Sequence, residues 1–303
     1  MANFGGRKNG IVSRAMWEGL NPEILALILV RIPVEELLQT IPLVCKSWWS
    51  AVAGPYCWSN IDVEDWCRRW SRFDRVDSLV RKLVRRSRGM CRRLSAYRLG
   101  DPGFAFAANW YFSVLLLVFG GEDVGGNDMF LVRCLKVLQI PMSEVSDKMV
   151  EKHAVATLTV LDISYCLRIT SKGLEAVGKS CKFLIQLKRN MPPLELEETE
   201  KRAKKMDDGE AMAIANTMPG LNRLELAYGR FGDHGLNAIL TNCKALTHLD
   251  IEGCLYVELN GDLEQRCGQL MDFKPPWTDD DHFLAVAAAA DDDTEDFSSS
   301  ESE

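Results

Sequence analysis

The apolar positions of the chain change period more than once, and each change marks a boundary. From Trp17 to Pro33 they recur at helical spacing: Ile24, Leu25, Ile28, Leu29 and Ile32 form one wide stripe. Asn21 suits an N-cap and Pro22 the first helical position, where a missing amide N–H costs nothing. Glu23 sits in the first turn, where the helix dipole favours an acid. Pro33 ends this helix, and Val34 to Thr40 predicts a shorter one with Leu37 and Leu38 inward. Pro42 opens a third, in which Leu43, Val44, Ser47, Trp48 and Ala51 share a face with Cys45 beside them; Gly54 and Pro55 stop it. Trp58 follows in a looser segment, then Ile61 and Val63. Helices this short bury little surface by themselves. Their apolar residues exceed what one small core absorbs, which predicts a surface for a partner or, alternatively, a helical cap on the next domain.

A second helical pattern occupies 62–90. Val76, Leu79, Val80, Leu83 and Val84 recur at i, i+3, i+4, i+7 and i+8. Eleven Arg and Lys residues lie between Arg68 and Arg93, against Asp74 and Asp77, so the outer face is basic. Such a face suits nucleic acid or anionic lipid. Few aromatics stand between the charges for base stacking, and the apolar face fits a protein core. The segment reads as a solvated helix joining two modules, with neither nucleic acid nor membrane as its partner.

From residue 91 to 272 the pattern becomes a repeat. The template L-x-x-L-x-[LI] fits Leu135-x-x-Leu138-x-Ile140, Leu158-x-x-Leu161-x-Ile163, Leu221-x-x-Leu224-x-Leu226 and Leu246-x-x-Leu249-x-Ile251. Leu184-x-x-Leu187 fits but ends in Arg189, and Leu94-x-x-Tyr97-x-Leu99 is a looser copy. The first leucines from Leu135 onward lie 23, 26, 37 and 25 residues apart, and a charged insertion, Leu196 to Met206, fills the widest gap. Ile169-Thr-Ser-Lys-Gly173-Leu174 and Phe231-Gly-Asp-His-Gly235-Leu236 are counterparts, each a turn leading into a helix. The fold predicted is α/β: three short helices, then a short solenoid with parallel strands inside and helices outside. Strand residues flanking the leucines face the concave side: Thr159, Val160, Asp162, Asn222, Arg223, Glu225, Thr247, His248 and Asp250. They are candidates for target contact, and solvated strand positions otherwise. Phe104 to Gly126 fits no copy; an extra strand, a distorted repeat or a poorly folding segment would each suit it.

Charge and composition alter this picture only at the ends. The net charge is −7 over 303 residues, and residues 279–303 alone carry ten acids and no Lys or Arg. That end cannot bury enough apolar surface to offset ordering entropy, so 273–303 reads as a disordered tail and 1–16 as a flexible N-terminus. Phe112 to Phe119 is too short for a membrane span, which needs about 20 apolar residues. With no secretory signal in 1–16, the expected location is nucleus, cytoplasm or both. The ten cysteines form no C-x-x-C pair and the four histidines are scattered, so no local metal site or cofactor is expected. None of the G-x-S-x-G, P-loop, H-E-x-x-H or G-x-G-x-x-G motifs occurs. Cys45 lies on an apolar helix with no His in its module, which argues against a reactive thiol. A non-catalytic protein is expected.

Leu20-Asn21-Pro22-Glu23-Ile24-Leu25, Ile28-Leu29-x-Arg31-Ile32-Pro33, Leu37-Leu38, Val44-Cys45-Lys46-Ser47-Trp48 and Trp58 together resemble the F-box pattern in order, spacing and residue type. Asn21 holds the usual Pro position, with Pro22 one residue later. The array resembles the cysteine-containing leucine-rich repeats of a plant subgroup of F-box proteins, including its closing Gly261-x-Leu263-x-x-Arg266-Cys267 segment. This resemblance implies an F-box over 17–61 that docks a Skp-type adaptor, and through it a cullin scaffold. The implied contacts are Leu20, Pro22, Ile28, Leu29, Leu37, Val44, Cys45 and Trp48, with Ile32 and Trp58 packing inside the module. The repeats would hold an unidentified protein substrate for a ubiquitin ligase. A repeat scaffold without any ligase role is the alternative.

Overall fold

The computed structural model describes residues 19–70, 72–118, 135–153, 155–193 and 205–277. Residues 1–16, most of the 196–206 insertion, Cys134 and the acidic stretch beyond Trp277 lie outside them. The chain divides into two compact units, the first ending at Leu187 and the second starting at Lys188.

The first unit opens with α1 (Pro22–Leu29), α2 (Val34–Gln39) and α3 (Lys46–Ala53). The Asn21 side chain accepts from the Glu23 N–H at 2.8 Å, so the cap falls where the sequence places it. Pro42 does not open the third helix. It sits in a separate 3-10 turn, Ile41–Leu43, and the chain becomes extended at Cys45 before α3 starts at Lys46. Leu25, Ala26, Leu29, Val34, Leu37, Ile41, Ala51 and Val52 form the core of this module. Trp58, in a second 3-10 turn (Tyr56–Trp58), is fully buried and donates its indole N–H to the Val52 carbonyl at 2.9 Å.

Four short strands follow in parallel and in chain order: β1 (Asn60–Asp62), β2 (Arg93–Ser95), β3 (Val137–Gln139) and β4 (Val160–Asp162). Ile61, Leu94, Leu138 and Leu161 stand in register at their centres. The crossovers carry α4 (Glu64–Arg68), α5 (Phe73–Arg86), α6 (Asp101–Val118), α7 (Asp147–His153) and α8 (Ser171–Ser180). This arrangement alters three expectations. The basic helix α5 is no linker: it lies between two paired strands and is the first crossover of the array, with Val76, Leu79, Val80, Leu83 and Val84 buried. The early copies have a different register, Trp58-x-x-Ile61-x-Val63 and Cys91-x-x-Leu94-x-Ala96, because Trp and Cys replace the first leucine; all six side chains are buried. Phe104 to Val118 is helical, with Phe104 and Ala107 inward, and not a strand.

β5 (Gln186–Lys188) spans the division between the units. The second unit carries α9 (Gly209–Thr217), β6 (Arg223–Glu225), α10 (Asp233–Asn242), β7 (His248–Asp250), α11 (Leu263–Gly268) and β8 (Asp272–Lys274). β6, β7 and β8 pair in parallel with Leu224, Leu249 and Phe273 in register. The last strand therefore runs into the segment expected to begin the tail.

Consecutive copies are joined by repeated polar devices. Arg98, Met142, Tyr165, Tyr228 and Gly253 all have left-handed φ and sit four residues past a strand centre. That turn aims the N–H of Met142 at the Ser164 carbonyl (2.8 Å) and that of Tyr228 at the Glu252 carbonyl (2.7 Å). Buried thiols donate to the neighbouring copy: Cys166 to Ile140 O (3.1 Å), Cys181 to Val155 O (3.2 Å) and Cys254 to Leu226 O (3.2 Å). Aspartates at helix starts hold the next turn. Asp147 accepts from Thr170 N–H and Oγ1–H (2.8 and 2.6 Å), and Asp233 from the N–H groups of Glu258, Leu259 and Asn260. Gly173 is required there, because a Cβ would press on Asp147 Oδ1.

Candidate functional site

Two surfaces follow from this fold. The first is on the N-terminal module. α1 is apolar on all sides, so one face serves its own core and the other is left outward. Leu25, Ala26 and Leu29 turn inward, while Ile24, Leu27 and Ile28 are exposed. Leu43, Val44 and Trp49 are exposed as well, on the 3-10 turn and on α3, which packs against both α1 and that turn. Of the residues expected to contact an adaptor, Pro22, Ile28 and Val44 are exposed, and Leu20, Cys45 and Trp48 are half-buried. Leu29 and Leu37 are each only 1% exposed. They belong to the module's own core, because the 3.6-residue period carries Leu29 to the same side as Leu25. The sequence places Ile24 and Leu43 on apolar faces without marking them as contacts, and it does not single out Leu27 or Trp49. Their signal was the surplus of apolar residues around α1 and the 41–49 segment.

The second surface is the charged side of the strands. In the second unit Arg223, Glu225, His248 and Asp250 come together around one open concavity with Lys188, Asp272 and Lys274. Each flanks a strand centre, so alternation puts the leucines in the core and these residues on the opposite side. The charges pair across strands: Lys188 Nζ to Glu225 at 2.9 Å, Arg223 to Asp272 at 3.5 Å and Lys274 Nζ to Asp250 at 2.9 Å. Hydrogen bonding to the Asp250 carboxylate raises the Lys274 pKa above the ordinary lysine value. Thr247 Oγ1 lies 2.7 Å from His248 Nδ1. In the first unit, Thr159 donates its hydroxyl to Lys136 O (3.1 Å), and Asp162 accepts from the Ser164 N–H (2.9 Å); both are half-buried. Lys188, Asp272 and Lys274 were missed. Lys188 flanks a strand centre already visible as Leu187, whereas the last copy hid because Phe273 replaces its leucine.

Neither surface assembles reactive groups. Burial pushes the thiols of Cys57, Cys67, Cys181, Cys243 and Cys267 up to about 11 and that of Cys254 to about 12, so they stay protonated at neutral pH. Among the described residues, no group of three His, Cys, Asp or Glu side chains could hold a metal, and no helix is long and apolar enough to cross a membrane. One surface is thus apolar and the other charge-patterned.

No family model matches the chain. It is 38% identical over 247 residues to F-box protein FBW2 of Arabidopsis thaliana, covering 80% of its own length and 70% of the relative's. F-box protein SKIP19 of the same plant is 32% identical over 253 residues, with 83% and 74% covered. Putative F-box/LRR-repeat protein 9, also from that plant, is 30% identical over 250 residues, with 82% and 91% covered. With relatives this similar over most of its length, the chain belongs to the plant F-box and F-box/leucine-rich-repeat protein family, whose members serve generally as substrate receptors.

Proposed function

We propose that this chain is the non-catalytic substrate-recognition subunit of a Skp-cullin-F-box ubiquitin ligase. The apolar residues left outward on the N-terminal module carry the reading: Ile24, Leu27, Ile28, Leu43, Val44 and Trp49 are all large apolar side chains exposed on one small module, as a surface for a partner leaves them. A Skp-type adaptor is the occupant. Its contacts are those residues with Leu20, Pro22, Cys45 and Trp48, while Leu29 and Leu37 act through the fold of the module. The cross-strand charges around Arg223, Glu225, His248 and Asp250 hold the target, with Thr159 and Asp162 on the strand side of the first unit. Supporting this role are their alternating signs, which select a partner of complementary charge more than they add affinity. Holding the target beside a ubiquitin-carrying enzyme raises its effective concentration, and the marked target is then degraded.

The test is co-purification of the full chain with a Skp-type adaptor. Ile28→Asp with Val44→Asp should abolish capture while leaving the thermal melt unchanged, since both side chains are exposed. Capture at the wild-type level by that variant, or none by the wild type, refutes the reading.

A further inference from the structure

The concavity between the outer face of α5 and the end of α3 is lined by Ala53, Ser78, Arg81, Lys82, Arg85, Arg86 and Arg88, with no acid among its described lining residues. We propose that it is a docking site for a phosphorylated segment of a partner protein, an activity separate from both surfaces above. Four of the five cations are arginines, whose planar forks match phosphate oxygens two at a time. Their stems are held in place. Arg86 lies over the Trp58 ring at 5.5 Å, and Arg81 and Arg85 lie over Phe106 at 5.8 and 5.6 Å. Arg81 also donates to the Pro102 carbonyl at 3.3 Å. Such stacking lowers the ordering cost of binding.

The same contacts select the ligand class. The guanidinium groups cover the nearby aromatic faces, so a base finds no stacking platform, as single-stranded RNA would require. The site is concave and its lining offers no large apolar side chain, unlike a surface that enters a bilayer. Arg81 to Arg86 spans about 8 Å along the helix axis. Four of the five charges fall within that span and Arg88 lies just beyond the helix; together they balance two or three phosphate monoesters of about −1.5 to −2 each.

Fluorescence anisotropy tests this with the full chain and a labelled Gly-Ser peptide carrying three closely spaced phosphoserines. The proposal expects binding that weakens steeply with salt, and at least tenfold weaker binding of the unphosphorylated peptide and of one with Glu at those positions. Arg81→Gln/Arg85→Gln/Arg88→Gln should lose at least tenfold while remaining folded, with a melt lowered by no more than a few degrees and unchanged adaptor capture. The corresponding Lys variants keep the charge but not the fork and should lose several-fold. Lys172→Gln/Lys179→Gln, on the outside of α8, should bind as wild type. Equal affinity for the Glu peptide, tighter binding of poly-uridine RNA or phosphatidylserine vesicles, or unaltered binding by the Gln variant overturns the proposal. Loss of adaptor capture together with peptide binding would assign the patch to the adaptor instead, and also overturns it.

Discussion

Arg189 occupies the template position that Ile163, Leu226 and Ile251 fill in other copies, and its side chain is only 1% exposed. A charge there is tolerated because Glu210, in the first turn of α9, meets it with two hydrogen bonds: Nε to Oε2 at 3.1 Å and Nη2 to Oε1 at 2.8 Å. The partners are unequal. The Glu210 side chain is 30% exposed, so water can replace its lost partner, whereas the guanidinium is deep in the unit. Glu210→Ala therefore takes the carboxylate away from a buried cation and should cost about 3 kcal/mol, the low end for breaking a buried pair. Arg189→Met puts an unbranched apolar side chain where other copies have one, and should cost no more than about 1.5 kcal/mol. Once Arg189 is gone, removing Glu210 should add little, so the double variant resembles Arg189→Met. Urea unfolding at pH 7 measures this: with m near 2 kcal/mol/M, Glu210→Ala lowers the midpoint by about 1.5 M at constant m. The reasoning fails if Glu210→Ala costs under about 1 kcal/mol, or if Arg189→Met costs as much as Glu210→Ala.

Burial raises the Asp77 pKa above its unfolded value, against the lowering effect of the Gly100 and Gly103 N–H groups. Its ionised form is thus a cost at neutral pH, removed as pH falls through the folded pKa. Asp77→Asn, which still accepts from Gly100 N–H, should be neutral or stabilising at pH 7 and lose that advantage in acid. Asp77→Ala should cost about 1–3 kcal/mol at either pH by orphaning that donor. Gly173→Ala should lower the melting temperature, costing about 1–3 kcal/mol, because its Cβ meets Asp147 and Ile169. Gly268→Ala, with nothing within 4 Å, should raise stability by about 0.4–1 kcal/mol. Iodoacetamide labelling of the native chain, mapped by peptide mass, should modify half-buried Cys45 well before Cys57, Cys67, Cys181, Cys243, Cys254 or Cys267, which should react only on unfolding. Fast native labelling at Cys254 would contradict its burial.

The N-terminal helices and the parallel strands of the array were legible along the chain, since each rests on local chemistry. Asn21 caps, Pro22 starts, Pro33 stops, and each copy but the last buries residues at the same three positions, leaving a period that needs no knowledge of the neighbours. The register of the first copies was not legible: Trp58 and Cys91 are buried at a leucine position with side chains unlike leucine in size. Nor was the division of α1 into an inner face at Leu25 and Leu29 and an outer face at Ile24 and Ile28. An all-apolar helix does not say which side its own core will claim, and only packing against α3 decides it. The Arg223–Asp272 and Arg189–Glu210 pairs likewise needed the tertiary fold, because their members lie far apart in the chain and meet only when parallel crossovers return each strand beside the last. Local periodicity determined which elements form; the burial of one face rather than another, and the pairing of distant charges, was decided by which surfaces remained once those elements had packed.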